Sequence, residues 1–514
     1  MKAEKGSFSN AGQAFNGQFG SAVVILFGAL LLMWPTLLNR SPFFLSDTST
    51  YIRGADAASF RIFHVQTPWS DRFLGRYQPE QIRAARSESK KAASSHERPV
   101  TLSGRSIYYG AFLYVAERIA GLRLAVLFQA LAVAVCLRMT VNRFDRRTQN
   151  PTKTFLLTTG LLSVASPLAF FVGYLMPDVF TGLAILAVAN LLCGEPPLRH
   201  MQRVFWFIVL CWSMLVHSSN LLILLLIFAV AMLVRFWWGR PQSAAVGLAA
   251  CAFLIGVSGE ALFNLSVREF SGDAPVRPPF LMTRLIADGP GLTYLERTCP
   301  GSGFAVCRHM QGLSRSSDAM LWNTQPDDGL FSAVDNDERR LLAEQETRFV
   351  LAVIADRPFA VVLSTARSIL NQAQRWHLDA FNMSPAKGAS IVEKLPPGVG
   401  LEVKGSLSFG GKMPVRPIEL MSLAMFLISA GFIIRALAGR SINADTKLFL
   451  LIVISGIVAD IVVCGAISTP HDRYSMRVLW LLPLSAAVVW MNRRTQHGSN
   501  SSNMSIRPKR VEAF

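Results

Sequence analysis

About ten runs of apolar residues punctuate this chain, each near the roughly 20 residues a helix needs to cross a hydrocarbon core about 30 Å thick. They lie near 20–38, 121–140, 154–173, 178–194, 204–219, 220–237, 243–263, 418–437, 446–466 and 478–492. In lipid, every backbone polar group must find its partner within the protein, so such runs fold as helices. The pattern predicts an all-α polytopic membrane protein of about ten transmembrane helices. Composition agrees: only 16% of the 514 residues are charged, against about 25% in soluble domains.

One stretch tests the idea. Residues 155–192 are almost unbroken in their hydrophobicity, yet YLMPDVFTG places Pro177 and Asp178 in the middle. As one helix the stretch would span roughly 57 Å, and a carboxylate at mid-membrane costs about 2.5–3.5 kcal/mol. Two helices joined by a tight turn resolve both problems. Pro177 then suits the first turn of the second helix, and Asp178 lies at a helix start, where the dipole favours negative charge.

Lysine and arginine in the short loops set the orientation. With Lys2 and Lys5 in the cytoplasm, the alternating loops put Arg143, Lys153, Arg199, Arg235 and Lys447 on the same side, along with Arg493, Arg494, Lys509 and Arg510 of the tail. The chain then divides into a cytoplasmic N-terminus (1–19), a first membrane region with helices 1–7 (20–263) that includes an outer loop at 39–120, and an outer insertion between helices 7 and 8 (264–416). Helices 8–10 (417–492) and a basic cytoplasmic tail (493–514) follow. This is the layout of a bacterial inner-membrane protein with both termini cytoplasmic. Of the basic residues behind the net charge of +18, many lie in the cytoplasmic loops and tail and the rest mainly in one long outer loop. Contact with anionic lipid head groups accounts for it, and nucleic acid is not an expected partner.

Within the outer loop, the polar run QIRAARSESKKAASSHERP precedes an interfacial helix expected at Ile107–Ile119. The insertion is mainly α or α+β, with helical patterns near 280–287, 337–355 and 358–377. Its Gly/Pro-rich stretch LPPGVGLEVKGSLSFGGKMPVRP reads as a hairpin or a loop. Five of the seven cysteines lie in or beside membrane segments. The other two, Cys299 and Cys307, bracket CPGSGFAVC in the insertion and read as a disulfide of an oxidising compartment.

The same topology gathers polar side chains at one outer face. FFLSDTSTYI places Asp47 and Tyr51 just after the first helix, and MPDVF places Asp178 at the same level. LVHSSN adds His217 and Asn220, and STPHDRYSMRVLWLLPL adds His471, Arg473, Tyr474 and Arg477. Each has a plainer reading: Asp47 as an Asx-turn or helix cap, Asp178 as a cap, His217 as a packed interfacial histidine, and the arginines as lipid-phosphate contacts.

An Asp shortly after the first helix, an acid at the outer turn before the fourth, and long outer loops together resemble the GT-C class of glycosyltransferases. That class includes the protein O-mannosyltransferases and the aminoarabinose transferase of lipid A. The resemblance covers about 20–265 and 418–492. The class often has two adjacent acids in the first loop, whereas here Ser46 precedes a single Asp47. It implies a polyprenyl-phosphate-linked sugar donor, an envelope lipid, glycan or protein acceptor, and a site facing the periplasm. Asp47 and Asp178 are the catalytic candidates. Tyr51, His217, Asn220, His471, Arg473, Tyr474 and Arg477 are the substrate-binding candidates. A divalent cation, magnesium or manganese, stays open; its ligands would be Asp47 and Asp178. Two rivals remain: a transporter or lipid flippase, and a non-catalytic partner in polysaccharide assembly.

Overall fold

The computed structural model describes residues 20–65, 67–69, 100–145, 150–239, 243–439 and 442–504. The polar run before residue 100 and the ends of the chain lie outside them. Helices make up the described fold, and only isolated bridges such as Phe43 with Tyr174 stand in for strands. The chain is an all-α, multi-pass membrane protein.

Six helices are long and apolar enough to cross a membrane: Leu122–Phe144, Ser219–Trp238, Ala244–Glu269, Val415–Ala438, Ala444–Ile467 and Asp472–Arg493. The four remaining apolar runs hold shorter helices. Gly20–Leu32, Val179–Leu192 and His200–Val216 are three of these. The fourth run is split into Pro151–Ala165 and Leu168–Val172. Length explains their place. Val179–Leu192 has 14 residues, or about 21 Å of helix, and every one of them is buried. A helix that is apolar all round and covered all round is a core element. Its neighbours come unusually close: a Cβ on Gly182 would lie 2.7 Å from the indole nitrogen of Trp480, and one on Gly456 would meet Ile185.

The 155–192 stretch is therefore interrupted twice. The first helix stops at Ser166–Pro167, and a loop at 173–178 precedes Val179. That loop is buried, so its backbone needs partners. Gln129 Nε2 donates to the carbonyls of Val172 and Tyr174 at 2.8 and 3.1 Å, and Tyr109 donates its hydroxyl to Gln129 Oε1 at 2.9 Å. The segment after the short helix Trp34–Asn39 pairs with the same loop. Phe43 N donates to Gly173 O, and Leu175 N donates back to Phe43 O. This pairing brings the neighbourhoods of Asp47 and Asp178 together.

The regular elements of the 264–416 segment are helices, with Asn336–Asp356 capped by Asp335. Its first part has its own core around Met282, Leu295, Phe304, Leu342 and Phe349. Its last part, through Phe381, Ile391 and Val403, joins the core of the bundle. The Gly/Pro-rich stretch is neither a plain loop nor a hairpin. Residues Pro397–Lys404 form a helix, because Pro397 supplies a preset φ at the first turn, and Gly405 follows its end. Cys299 and Cys307 form a disulfide, with Cα atoms 5.5 Å apart.

Candidate active site

Asp47 lies in the first turn of Ser46–Phe63, but the capping work there is done by Thr48, whose hydroxyl accepts from Leu45 N at 3.0 Å. The Asp47 carboxylate is left to turn outward. It meets Arg105, whose Nη2 donates to Asp47 Oδ2 at 2.7 Å. Arg105 sits just before the helix Ile107–Ala120, which Ser106 caps, and its guanidinium lies 5.6 Å from the Trp322 ring of the insertion. Burial pushes the Asp47 carboxyl up, but the charges of Arg105 and Arg473 outweigh it and hold the group below its ordinary value of 3.8.

Asp178 occupies the N-cap position of Val179–Leu192 without capping it by its side chain. Its Oδ1 accepts from Arg477 Nη1 at 3.4 Å. Its Oδ2, although buried, makes no hydrogen bond among the described residues. Arg477 is itself fully buried and donates to Asp460 Oδ1 at 2.6 Å and to His217 Nε2 at 3.2 Å. One guanidinium thus serves two acids in the interior.

These groups converge on one cavity of about 130 Å³. Its wall includes Asp47, Tyr51, Asp178, His217, Arg473 and Tyr474, six of the nine residues singled out from sequence. The other three stand apart. Arg477 is behind the wall, holding Asp178. Asn220 turns away and donates from Nδ2 to Ser213 O at 2.8 Å, bracing the turn between two helices. His471 pairs with Asp318 Oδ2 of the insertion at 3.0 Å.

Three contributors escaped the sequence reading. Arg105 follows a polar run and carries no periodic signal. Asp460 and Glu260 did have one: each is a lone carboxylate inside an apolar run, a placement that is costly and marks function or pairing. Glu260 lines the same cavity, as do the apolar residues Ile107, Met214, Leu215 and Phe263. The cavity thus has an acidic and cationic floor beside an apolar flank.

The residues fit a metal poorly. Among the described residues, no three metal-ligating side chains gather. Asp47 Oδ2 is engaged by Arg105, and Arg473 brings a second positive charge to the same wall.

Comparison with known protein families, curated proteins and solved structures finds no match for this chain.

Proposed function

We propose that this protein is an inner-membrane glycosyltransferase. It moves a sugar from a polyprenyl-phosphate donor to a hydroxyl of an envelope lipid, glycan or protein on the periplasmic face. The observation that carries the reading is the shared cavity, where three carboxylates (Asp47, Asp178 and Glu260) and two guanidinium groups (Arg105 and Arg473) from distant parts of the sequence stand beside an apolar flank. A phosphate with a hydrocarbon tail has complementary chemistry.

In this reading Asp47 is the general base. It takes the proton of the acceptor hydroxyl as that oxygen bonds to the anomeric carbon and the bond from that carbon to the phosphate oxygen breaks. The phosphate leaves with its electron pair and needs cations rather than a proton. Arg105 and Arg473 supply them. Asp178, with an oxygen to spare, orients the acceptor. Arg105 has a double duty, since a phosphate that draws it away from Asp47 restores the basicity that the ion pair suppresses.

This gives a pH prediction. Arg105 lowers the Asp47 pKa, so removing it leaves the raising effect of burial less opposed. The acid limb of kcat/KM is expected to move to higher pH in Arg105→Gln, together with a rise in KM for the donor. An unmoved limb would take the base role away from Asp47. The same sign governs folding: the pair stabilises the protein above the ordinary carboxylate pKa of about 3.9, and this is lost as pH falls through the lowered value.

The reading also needs the orientation derived from the basic loops, with ten crossings and both termini cytoplasmic. A periplasm-dependent reporter fused after Gly301 is expected to be active, and one fused after Asn150 silent. The reverse at either point overturns the periplasmic site. One observation favours a transporter instead: Asp460 lies inside a spanning helix, as ionisable groups of transport pathways do. Its charge is met by Arg477 at 2.6 Å, which supports a structural role. Sugar transfer by the purified protein, as against donor translocation without transfer, separates the two.

A further inference from the structure

The helix Pro358–Ala373 is amphipathic the wrong way round for a water-soluble domain. Its buried stripe is polar: Ser364, Ser368 and Gln372, spaced by four, point inward. They meet polar groups there, Ser368 with Arg284 and Asp288, and Gln372 with Ser475 and the backbone of His471. Its exposed stripe is apolar. Phe359 is 89% exposed, Val362 67%, Leu363 52% and Leu370 62%, at spacings that fall on one helical face. Two more large apolar residues, Leu351 and Ile354, are exposed near the end of the preceding helix, which meets this one at a bend of 109°.

We propose that this face lies in the outer leaflet of the membrane, with lipid acyl chains as its partner. Water is the wrong solvent for it, and two features argue for lipid in particular. First, the helix packs on Ala444–Ile467, a spanning helix, so closely that a Cβ on Gly465 would fall 2.7 Å from Ile369 Cα. Second, the outward residues of that spanning helix, Ile454 and Val458, are exposed up to the region the shorter helix covers. Both helices of this packed pair thus leave large apolar side chains exposed. The charges at the bend are paired, Asp356 with Arg297 and Arg357, which suits a position at the head-group boundary. The 264–416 segment is thereby anchored to the membrane through this one helix. Through Gln372, which donates to His471 O, and Arg375, which reaches Asp472, this lipid contact is tied to the helix start that carries Arg473.

The experiment places a benzoyl-phenylalanine photo-crosslinker at Phe359 or Leu363 of the full-length protein in native membranes, with Asp327 as the exposed control. Phospholipid adducts at 359 and 363, several-fold above the control, are expected on mass spectrometry. Adducts to another protein at these positions, or lipid adducts no more frequent than at 327, would overturn the proposal. The outcome is independent of catalytic activity.

Discussion

Replacing Asp47 with Asn is expected to abolish sugar transfer while leaving the protein folded and inserted. The amide keeps the size of the side chain and disturbs no cap, because Thr48 accepts from Leu45 N. What is lost structurally is one partly exposed ion pair with Arg105, about 1 kcal/mol or less. What is lost chemically is the base, and general-base catalysis typically contributes about 10²–10⁴-fold. Turnover with a polyprenyl-phosphate sugar, measured at matched expression and beside a thermal melt, separates these effects. Near-normal turnover would shift the base role to Asp178.

The largest expected effect on stability comes from Arg477→Leu. That side chain is fully buried between Asp178 and Asp460, and its removal leaves Asp460 without a counter-charge and Asp178 without its hydrogen-bonded guanidinium. Breaking a buried pair in this way costs about 3–5 kcal/mol. The purified protein is expected to melt at much lower temperature or to fail to accumulate. Adding Asp460→Asn and Asp178→Asn to the same chain is expected to recover most of the loss, since an uncharged replacement of a buried cluster is often close to neutral. If the triple variant is no more stable than Arg477→Leu alone, the cluster's role is not charge compensation. Activity is not expected to return, because Asp178 belongs to the cavity wall.

Much of this site was legible because membrane proteins put their polar side chains where apolar runs end. Asp47, Tyr51, Asp178, His217, Arg473 and Tyr474 were gathered by that rule alone, and they do share a cavity. The rule failed where a residue's direction mattered more than its level. Arg473 and Arg477 are four positions apart, yet one lines the cavity and the other points into the interior toward Asp460. His471 is drawn away by Asp318, a partner 153 positions distant that no local pattern announces. Arg105 follows a stretch with no periodicity and is located only by the turn that leads into its helix.

The fold shows a similar division. Long helices such as Ala444–Ile467 followed from hydrophobicity and length. The burial of the short ones did not, because hydrophobicity does not say whether lipid or protein surrounds a run. Val179–Leu192 is apolar because protein surrounds it. In the insertion, Phe280–Ala287 and Asn336–Asp356 were readable as helical patterns near 280–287 and 337–355. The inverted polarity of Pro358–Ala373 was not, since a helical pattern says which residues share a face and not which face meets the protein.

The most direct measurement is transfer itself. Purified protein is supplied with a panel of polyprenyl-phosphate donors carrying radiolabelled sugars, together with an envelope lipid and glycan extract, and the label is followed by chromatography. The account predicts that one donor loses its label to an acceptor, with stoichiometric release of polyprenyl phosphate, and that Asp47→Asn reduces this by at least about 10²-fold. Label that stays on every donor, or that crosses a vesicle membrane still attached to its lipid, would contradict it.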